Sequence, residues 1–422
     1  MSTSAVERLG IDLNSEEFWA LSQEARMEAF ATLRREDPFA RYDEPELPFL
    51  PSTGGGYYAV SRHADIEHIS SNPELFCSGH GAVSIVDLPQ EMHEFYGSMI
   101  SMDNPRHAKI RRIVSSAFTP KMLEGLLDNV EVITRELVTK ARAVAADNGG
   151  EFDIVKHIAA PLPLTIICQM MGIPESEYDM VLQQSNIILS GGDPEFMPSP
   201  EEALTQVLTA GGLLADLMLK LADERQGNPA DDLTSALVNA NVDGETLTHQ
   251  EIASFFILLV AAGNETTRTA ITHGVYQLDR HPDQKKAWMA DESLSKTAVE
   301  EIVRYASPVT WMRRTATQPV TIGDYSFDEG AKFILLYNSG NRDETVFEDP
   351  DRFDLSRSPN PHVGFGARGP HFCLGANLAR REIDIAFKTM FELMPDLQVV
   401  GEPDRLLSSF INGIKRMTVR VG

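Results

Sequence analysis

One cysteine in the sequence has neighbours that suit it for metal chemistry. Cys373 lies in a glycine-rich stretch, residues 364–375, that reads GFGARGPHFCLG and runs directly into an apolar helix pattern. A thiolate at a helix N-terminus is stabilised by the helix dipole and by unpaired backbone N–H groups, while glycines let a large flat ligand approach the backbone. Both features favour an iron–thiolate bond. We expect Cys77 and Cys168 to be small buried hydrophobic residues, the ordinary situation for an isolated cysteine.

An acidic residue and two hydroxyls lie together in an otherwise apolar helix pattern. Residues 262–267 read AGNETT, and burying Glu265 with Thr266 and Thr267 requires hydrogen-bond partners to offset desolvation. Ala262 and Thr266 share a helix face, and a threonine hydroxyl can bond to the carbonyl one turn earlier and open the helix. Such a polar notch would hold oxygen and water. The alternative is that the threonines only pack and that Glu265 points to a neighbouring arginine.

Two further patterns carry charge. Glu301 and Arg304 are three residues apart and share a helix face, a spacing that chance often supplies. Residues 106–112 read RHAKIRR, a basic island in a chain with a formal net charge of -25. The island suggests a nearby anion, although a solvated helix face is the more ordinary explanation for such a run.

The cluster of acid and hydroxyls requires a long buried helix to position it. Thr248 and Glu251 have the spacing of a capping box, and apolar residues continue from there to the DRHP stop at 279–282. The pattern predicts a helix of about 30 residues, roughly 45 Å long. Its middle, residues 255–262, is apolar on all sides and is therefore expected to be buried.

The remaining elements predict a mainly α fold with a minor β region. In the first half these elements are a strand at 56–60, a helix after it that Ser61 caps, a loop at 78–100, a helix from Pro105 to Thr119-Pro120, and helices over 121–225 interrupted at Pro161, Pro163 and Pro174. In the second half they are a short helix ending near Tyr305, strands at 320–322 and 333–337, an irregular region at 338–372, and a helix that starts just after Cys373. Because no stretch has the composition of a linker, we expect a single domain over residues 1–422.

Composition narrows the class of protein. The chain has 422 residues, of which 42% are hydrophobic, so it can bury a large core without disulfides. Its three cysteines suit a reducing cytosol. The net charge of -25 argues against binding nucleic acid. The first residues lack the pattern of a signal peptide, and no apolar run approaches about 20 residues, so we expect a cytoplasmic protein without a membrane anchor.

Residues 365–375 resemble the haem-binding loop of cytochromes P450. The AGNETT segment and the glutamate–arginine pair described above, together with Arg352, stand before Cys373 in the family's order. One departure is that Phe365 lies eight positions before the cysteine, where the commonest form of the signature has seven. The resemblance implies a single haem domain with the cytochrome P450 fold, haem b as cofactor and Cys373 as the ligand of the iron.

The resemblance also implies roles for polar residues around the haem. Thr266 would assist oxygen activation and Glu265 would relay protons from solvent. A buried ion network of Glu301, Arg304 and Arg352 would fix the loop beneath the haem. Residues that would bind the haem propionates are His107, Arg111, Arg314 and His371. Residues that would form a positive patch for an acidic electron carrier, a ferredoxin supplied by its reductase, are Lys109, Arg112, Arg380 and Arg381.

A closer resemblance points to the substrate. The runs AGNETTRTAITHG and FCLGANLARRE are similar to those of mycobacterial P450s that oxidise methyl-branched lipids and sterol side chains. This favours terminal hydroxylation, with O2, of a branched lipid, isoprenoid or steroid side chain. A P450 of antibiotic or terpenoid biosynthesis would share every motif, and a haem-thiolate sensor without enzymatic activity is the alternative from another class. Candidate residues of an apolar pocket are Phe256, Leu259, Val309 and Phe410, each of which could instead be ordinary core or loop.

Overall fold

The chain folds mainly into helices. The computed structural model describes residues 5–45, 55–117, 120–190, 192–197, 199 and 202–422, with the backbone alone for residues 120–128. The helices are α1 (Ala5–Leu9), α2 (Glu16–Trp19), α3 (Gln23–Glu36), α4 (His63–Ser71), α5 (Gln90–Gly97), α6 (Arg106–Ala117), α7 (Pro120–Asp147), α8 (Pro161–Met171), α9 (Tyr178–Leu189), α10 (Ala203–Gly227), α11 (Leu233–Val238), α12 (His249–Arg280), α13 (Pro282–Ala290), α14 (Ser295–Ala306), α15 (Tyr337–Gly340) and α16 (Ala376–Leu393). Shorter helical turns lie at Ser98–Ser101, Val155–Ala159, Glu175–Glu177 and Glu292–Leu294.

The strands form one larger sheet and smaller ones. They are β1 (Phe39–Tyr42), β2 (Tyr57–Val60), β3 (Phe76–Cys77), β4 (Glu151–Asp153), β5 (Trp311–Ala316), β6 (Val320–Ile322), β7 (Tyr325–Phe327), β8 (Lys332–Leu336), β9 (Gln398–Val399), β10 (Asp404–Arg405), β11 (Ile414–Arg416) and β12 (Thr418–Arg420). The larger sheet has the order β1-β2-β8-β5-β3, in which only β2 and β8 run parallel. The smaller sheets are β4-β12-β9, β10-β11 and β6-β7. Because side chains alternate along a strand, Arg313 and Arg314 of β5 point to opposite faces.

The helix α12 crosses the interior and carries the cluster of acid and hydroxyls. It spans 32 residues and begins with the predicted capping box, in which the Thr248 N–H donates to the Glu251 carboxylate at 2.9 Å and the Glu251 N–H donates to the Thr248 hydroxyl at 3.2 Å. Length and cap are both confirmed. The helix packs against α8, α10, α14 and α16. Residues 252–257 are buried, but Ala262 is exposed. The prediction that the whole segment 255–262 is buried was therefore wrong for the helix face that carries Ala262.

Some local predictions are wrong for reasons of tertiary structure. Ser61 does not cap α4, because its hydroxyl bonds to the Pro38 carbonyl while the carboxylate of Asp343 accepts the His63 N–H at 2.9 Å. The predicted loop at 78–100 contains α5. The strands β4 and β5 were not predicted, because their pairing partners, β12 and β8, lie later in the chain. The predicted stop at Thr119 lies outside the described residues.

Among the described residues, α10 is the helix with the length and hydropathy of a membrane span. Its most apolar window is 33% buried, and its inner side, which includes Leu214 and Met218, packs into the main core. One such helix is weak evidence for a span, since a core helix of a globular protein satisfies the same criterion.

Candidate active site

The loop that carries Cys373 is held in one conformation by glycines and a backbone bond. The Cys373 N–H donates to the Phe365 carbonyl at 3.0 Å. Gly369 has φ +140°, and a Cβ there would lie 2.2 Å from the Ser70 carbonyl oxygen, so no other residue fits. Cys373 is a free and partly exposed cysteine, whereas Cys77 and Cys168 are buried, as predicted.

Electrostatics around the Cys373 sulfur act in opposite directions. Burial raises the pKa of the thiol, while the Gly375 N–H and the charges of Arg111 and Arg380 oppose that rise. A bound metal ion deprotonates a coordinating thiol outright. Cys373 therefore stands at the start of α16 with a backbone donor and two cations available to stabilise its thiolate.

The one-residue extension of the loop leaves Phe365 firmly packed. Its ring lies under the Arg380 guanidinium, with 4.3 Å from the guanidinium carbon to the ring centroid, and near the His362 ring, at 5.9 Å between centroids. Arg380 and His362 both bind Glu300. Glu300 and His362 were not singled out from the sequence, because nothing in their local spacing marks them.

The four residues predicted to bind propionates come together beside this loop. The rings of His107 and His371 lie 4.2 Å apart, and Arg111 donates to the Phe372 carbonyl at 2.7 Å. Arg314 is buried, donates to the Arg313 carbonyl at 2.7 Å, and has no carboxylate in ion-pair contact among the described residues. The His107 Nε2 is buried without a hydrogen-bond partner in the described part of the chain. These groups are a set of donors that lack an anion.

The protonation equilibria of this set agree with a missing anion. Burial, followed by the charges of Arg314, His107 and Arg111, lowers the pKa of His371 to about 2. Burial also lowers the pKa of His107, with Arg111 adding to the effect. A ligand with two carboxylates would remove both causes, since it replaces lost solvation and offsets the positive charge. The residues therefore fit a ligand with two carboxylates, as the resemblance to cytochromes P450 implies.

The cluster of acid and hydroxyls on α12 has the geometry of a notch. The Thr266 hydroxyl donates to the Ala262 carbonyl at 2.5 Å, as predicted from their spacing. Ala262 is exposed and Thr266 partly exposed although the flanking helix is buried, so this face of α12 borders a space that side chains do not fill. A Cβ on Gly263 would lie 2.8 Å from Ile167, which explains the glycine in mid-helix.

Glu265 points away from solvent and binds an arginine, the alternative left open by the sequence. Its side chain is 2% exposed and forms an ion pair with Arg268, whose Nε donates to the carboxylate at 3.1 Å. Arg268 also donates to the Asn186 side chain of α9 at 3.1 Å. The three-residue spacing between Glu265 and Arg268 could have identified this partner from sequence.

The ion network beneath the site contains Arg357 in place of Arg352. Glu301 and Arg304 are fully buried and joined by two hydrogen bonds of 2.7 and 2.8 Å. The Arg352 side chain is 63% exposed and 3.7 Å from Asp354, so its predicted role was wrong. The turn that ends at Arg352 directs its carbonyl, not its side chain, toward Arg304. Arg357 supplies the second cation, at 3.3 Å from Glu301.

The predicted positive patch is largely neutralised by local acids. Lys109 pairs with Glu245, and Arg112 lies 2.9 Å from Asp243, both in the connection between α11 and α12. Arg380 binds Glu300, and Arg381 lies 3.8 Å from Asp384. Lys109 comes two residues after His107 on α6, so its side chain points to the opposite side of the helix, away from the predicted propionate site. An exposed aromatic residue that the sequence did not reveal, Phe372, lies next to Cys373 instead.

One residue of the predicted apolar pocket, Phe256, does not fit that role. Leu259, Val309 and Phe410 are partly exposed, but Phe256 is fully buried and does not line an open space. Phe256 belongs to the core because it lies off the helix face that Ala262 and Thr266 share. A separate cavity of about 410 Å³, lined by residues that include Cys77, His80 and Asp103, does not include Cys373.

Known proteins resemble this chain over nearly its whole length. Residues 57–395 match the family model described as Cytochrome P450. A relative named methyl-branched lipid omega-hydroxylase, from Mycobacterium tuberculosis, is 49% identical over 97% of this chain and 94% of its own length. A steroid C26-monooxygenase of Mycolicibacterium smegmatis is 37% identical over 93% and 90%. The solved structure of Mycobacterium marinum cytochrome P450 CYP268A2 in complex with pseudoionone has a TM-score of 0.91 and 40% identity, covering 97% and 98% of the two chains. The chain therefore belongs to the cytochrome P450 family: it has the P450 fold, takes a haem-iron cofactor and is a monooxygenase.

Proposed function

We propose that the enzyme hydroxylates the terminal carbon of a methyl-branched lipid, or of a similar isoprenoid or steroid side chain. The observation that carries this proposal is the 49% identity, over 97% of the chain, to a relative named for that reaction. The steroid C26-monooxygenases, also named for oxidation of a side chain, support the same regiochemistry. Leu259, Val309 and Phe410 are partly exposed and would supply an apolar lining that suits such a chain.

Haem b is the cofactor that the site residues would hold. Cys373 would bind the iron, and His107, Arg111, Arg314 and His371 would bind its two carboxylates. When bound, the haem supplies the chemistry of dioxygen reduction and oxygen-atom transfer to a C–H bond. The chain itself would provide the thiolate, the counter-charges and a proton supply.

Thr266 and Glu265 would manage protons above the haem. The Thr266 hydroxyl donates its one proton to the Ala262 carbonyl, so its oxygen can accept a hydrogen bond from water in the notch. Glu265 would carry protons from solvent, but its carboxylate is held by Arg268. Proton supply therefore requires Glu265 to exchange Arg268 for water, which makes Arg268 a positioning residue for this step.

A ferredoxin is the proposed electron donor, with the protein in the cytoplasm. The exposed ring of Phe372 lies beside Cys373, and the Arg111 guanidinium binds the Phe372 carbonyl. Arg368, in the same loop, is also exposed. An acidic iron–sulfur protein would find here an apolar contact flanked by positive charge, which favours fast association at low ionic strength.

The first experiment combines a spectrum with a binding screen. The reduced carbon monoxide complex of the purified protein should show the thiolate-type band. An iso-branched fatty acid, its straight-chain isomer, a sterol and a macrolide are then titrated while the spin state of the haem is followed, and the products are identified by mass spectrometry. We expect tighter binding of the branched than of the straight chain, with the hydroxyl on the terminal carbon. A spin shift with the macrolide alone, or hydroxylation within the chain, would overturn the proposed substrate.

A further inference from the structure

We infer that Arg380 is a positioning residue for the thiolate, held in place by Glu300 and His362 and acting through Phe365. We name these four residues the Glu300 cluster. The inference rests on the proposed role of Cys373 as iron ligand and deepens it, because it assigns to Arg380 a role inside the site in place of one on a docking surface.

Glu300 holds two partners at once. Its carboxylate accepts from Arg380 Nη2 at 3.0 Å and from Nε through a second bond, and it accepts from His362 Nε2 at 2.9 Å. His362 Nδ1 accepts the Gly364 N–H at 3.1 Å, which fixes the ring with its Nε2–H toward Glu300. Burial raises the pKa of Glu300, but the hydrogen bonds from His362 and Arg380 have the larger combined effect and lower that pKa to about 2. The cluster is therefore anionic at its centre across the physiological pH range.

The cluster reaches Cys373 by two routes. The first is mechanical: Arg380 lies 4.3 Å above the Phe365 ring, and the Phe365 carbonyl accepts the Cys373 N–H at 3.0 Å. The second is electrostatic: Arg380 stands in the second turn of α16, which begins at Ala376, and its positive charge lies over the Phe365 ring, where it would favour negative charge on the nearby Cys373 sulfur. The Arg380 side chain is 31% exposed and bound to Glu300, which holds it beside the loop of Cys373.

These contacts predict opposite effects for the two charged members of the cluster. Reduction of an iron bound by Cys373 would add negative charge near the thiolate, so loss of the Arg380 charge should disfavour reduction. Loss of the Glu300 charge leaves Arg380 uncompensated and favours reduction. A residue that only supports the fold would not produce shifts of opposite sign.

The test uses the purified holoenzyme and its reduction potential. We expect Arg380→Gln to lower the reduction potential by about 59 mV, which is a tenfold change in the one-electron equilibrium constant, and Glu300→Gln to raise the potential by a similar amount. Arg380→Lys keeps the charge and should restore most of the potential. Arg381→Gln, the same change at the next residue of α16, is the matched control and should leave the potential unchanged.

The outcomes separate this inference from the proposed function. A wild-type protein without the thiolate-type carbon monoxide band would refute Cys373 as ligand. A wild-type protein with that band, but with Arg380→Gln and Glu300→Gln shifting the potential in the same direction or not at all, would overturn the role of Arg380 and leave the proposed function standing. If Arg380→Gln does not bind haem, the test uses Arg380→Lys and Glu300→Gln instead. A normal reduction potential in Arg380→Lys together with a raised potential in Glu300→Gln supports the inference, and any other pair of results refutes it.

Discussion

Arg357 and Arg352 provide a matched pair of substitutions that tests the ion network beneath the site. Arg357 has a side chain that is 10% exposed and lies 3.3 Å from Glu301. It also donates to the carbonyls of Glu348, Asp349 and Arg352 at 2.7, 3.1 and 3.0 Å. Arg352, five residues earlier, is 63% exposed and contacts only Asp354 through its side chain among the described residues. The two positions carry the same residue type in opposite environments.

Replacement of Arg357 by alanine removes a buried cation from a network that keeps Arg304. Breaking a buried pair costs about 3 to 5 kcal/mol, and we expect the lower end because Glu301 stays paired. An unfolding entropy of about 2.1 cal/mol/K per residue gives about 0.9 kcal/mol per degree for 422 residues, so the Tm should fall by about 3 °C. Arg352→Ala should change the free energy of unfolding by less than about 0.5 kcal/mol, a shift well below one degree.

Thermal unfolding of the holoenzyme, followed in parallel by haem absorption and by far-ultraviolet circular dichroism, measures both variants. The fraction of each variant that gives the thiolate-type carbon monoxide band shows whether the loop of Cys373 loosens when Arg357 is lost. Equal Tm shifts, or a larger shift for Arg352→Ala, would refute our assignment of the network.

Further predictions concern the notch, the loop and the Glu300 cluster. Thr266→Val keeps the shape but removes the hydroxyl from the notch, so the rate of hydroxylation should fall about a hundredfold, the lower end for lost acid–base assistance, with Thr266→Ser as control; an unchanged rate would contradict the role of the hydroxyl. Gly369→Ala forces a contact with the Ser70 carbonyl and strains the backbone, which should cost about 1 to 3 kcal/mol or more; a normal Tm and full haem content would show that the loop can move. Glu300 has a lowered pKa, about 2 against an ordinary 4.5, so its stabilising contribution is present above pH 4.5 and is lost as the pH falls toward 2. The Tm difference between wild type and Glu300→Gln should therefore stay constant down to about pH 5 and shrink below it; a difference that grows in acid would contradict the sign of the shift.

Local rules predicted the elements whose determinants lie close together in sequence. The capping box of Thr248 and Glu251 and the apolar run after it gave the start and the length of α12. The spacing of Ala262 and Thr266 gave the hydroxyl-to-carbonyl bond, because both residues belong to one turn. The glycines around Cys373 gave the loop, although not the packing of Phe365. The single domain over residues 1–422 stays a prediction.

The failures concern contacts made across the chain. Arg352 and Arg357 are both arginines near the same turn, and only the path of the backbone decides which side chain enters the core. Lys109 and Arg112 were expected to form a positive patch, because their acidic partners Asp243 and Glu245 lie far away in sequence. Only the tertiary structure brings the connection that carries these acids beside α6. Phe256 and Leu259 are equally apolar, and their burial depends on how α12 is rotated.

The four side chains beside Cys373 have a consequence for how the protein matures in the cell. His107 and Arg314 are buried, and among the described residues none of the four forms an ion pair with a carboxylate, so the haem propionates would supply most of their counter-charge. Haem binding would then be coupled to folding by mass action, so a larger haem supply would raise the folded fraction. Overexpression under haem starvation should yield material that is degraded or aggregated, and added haem precursor should increase the yield of polypeptide as well as its colour.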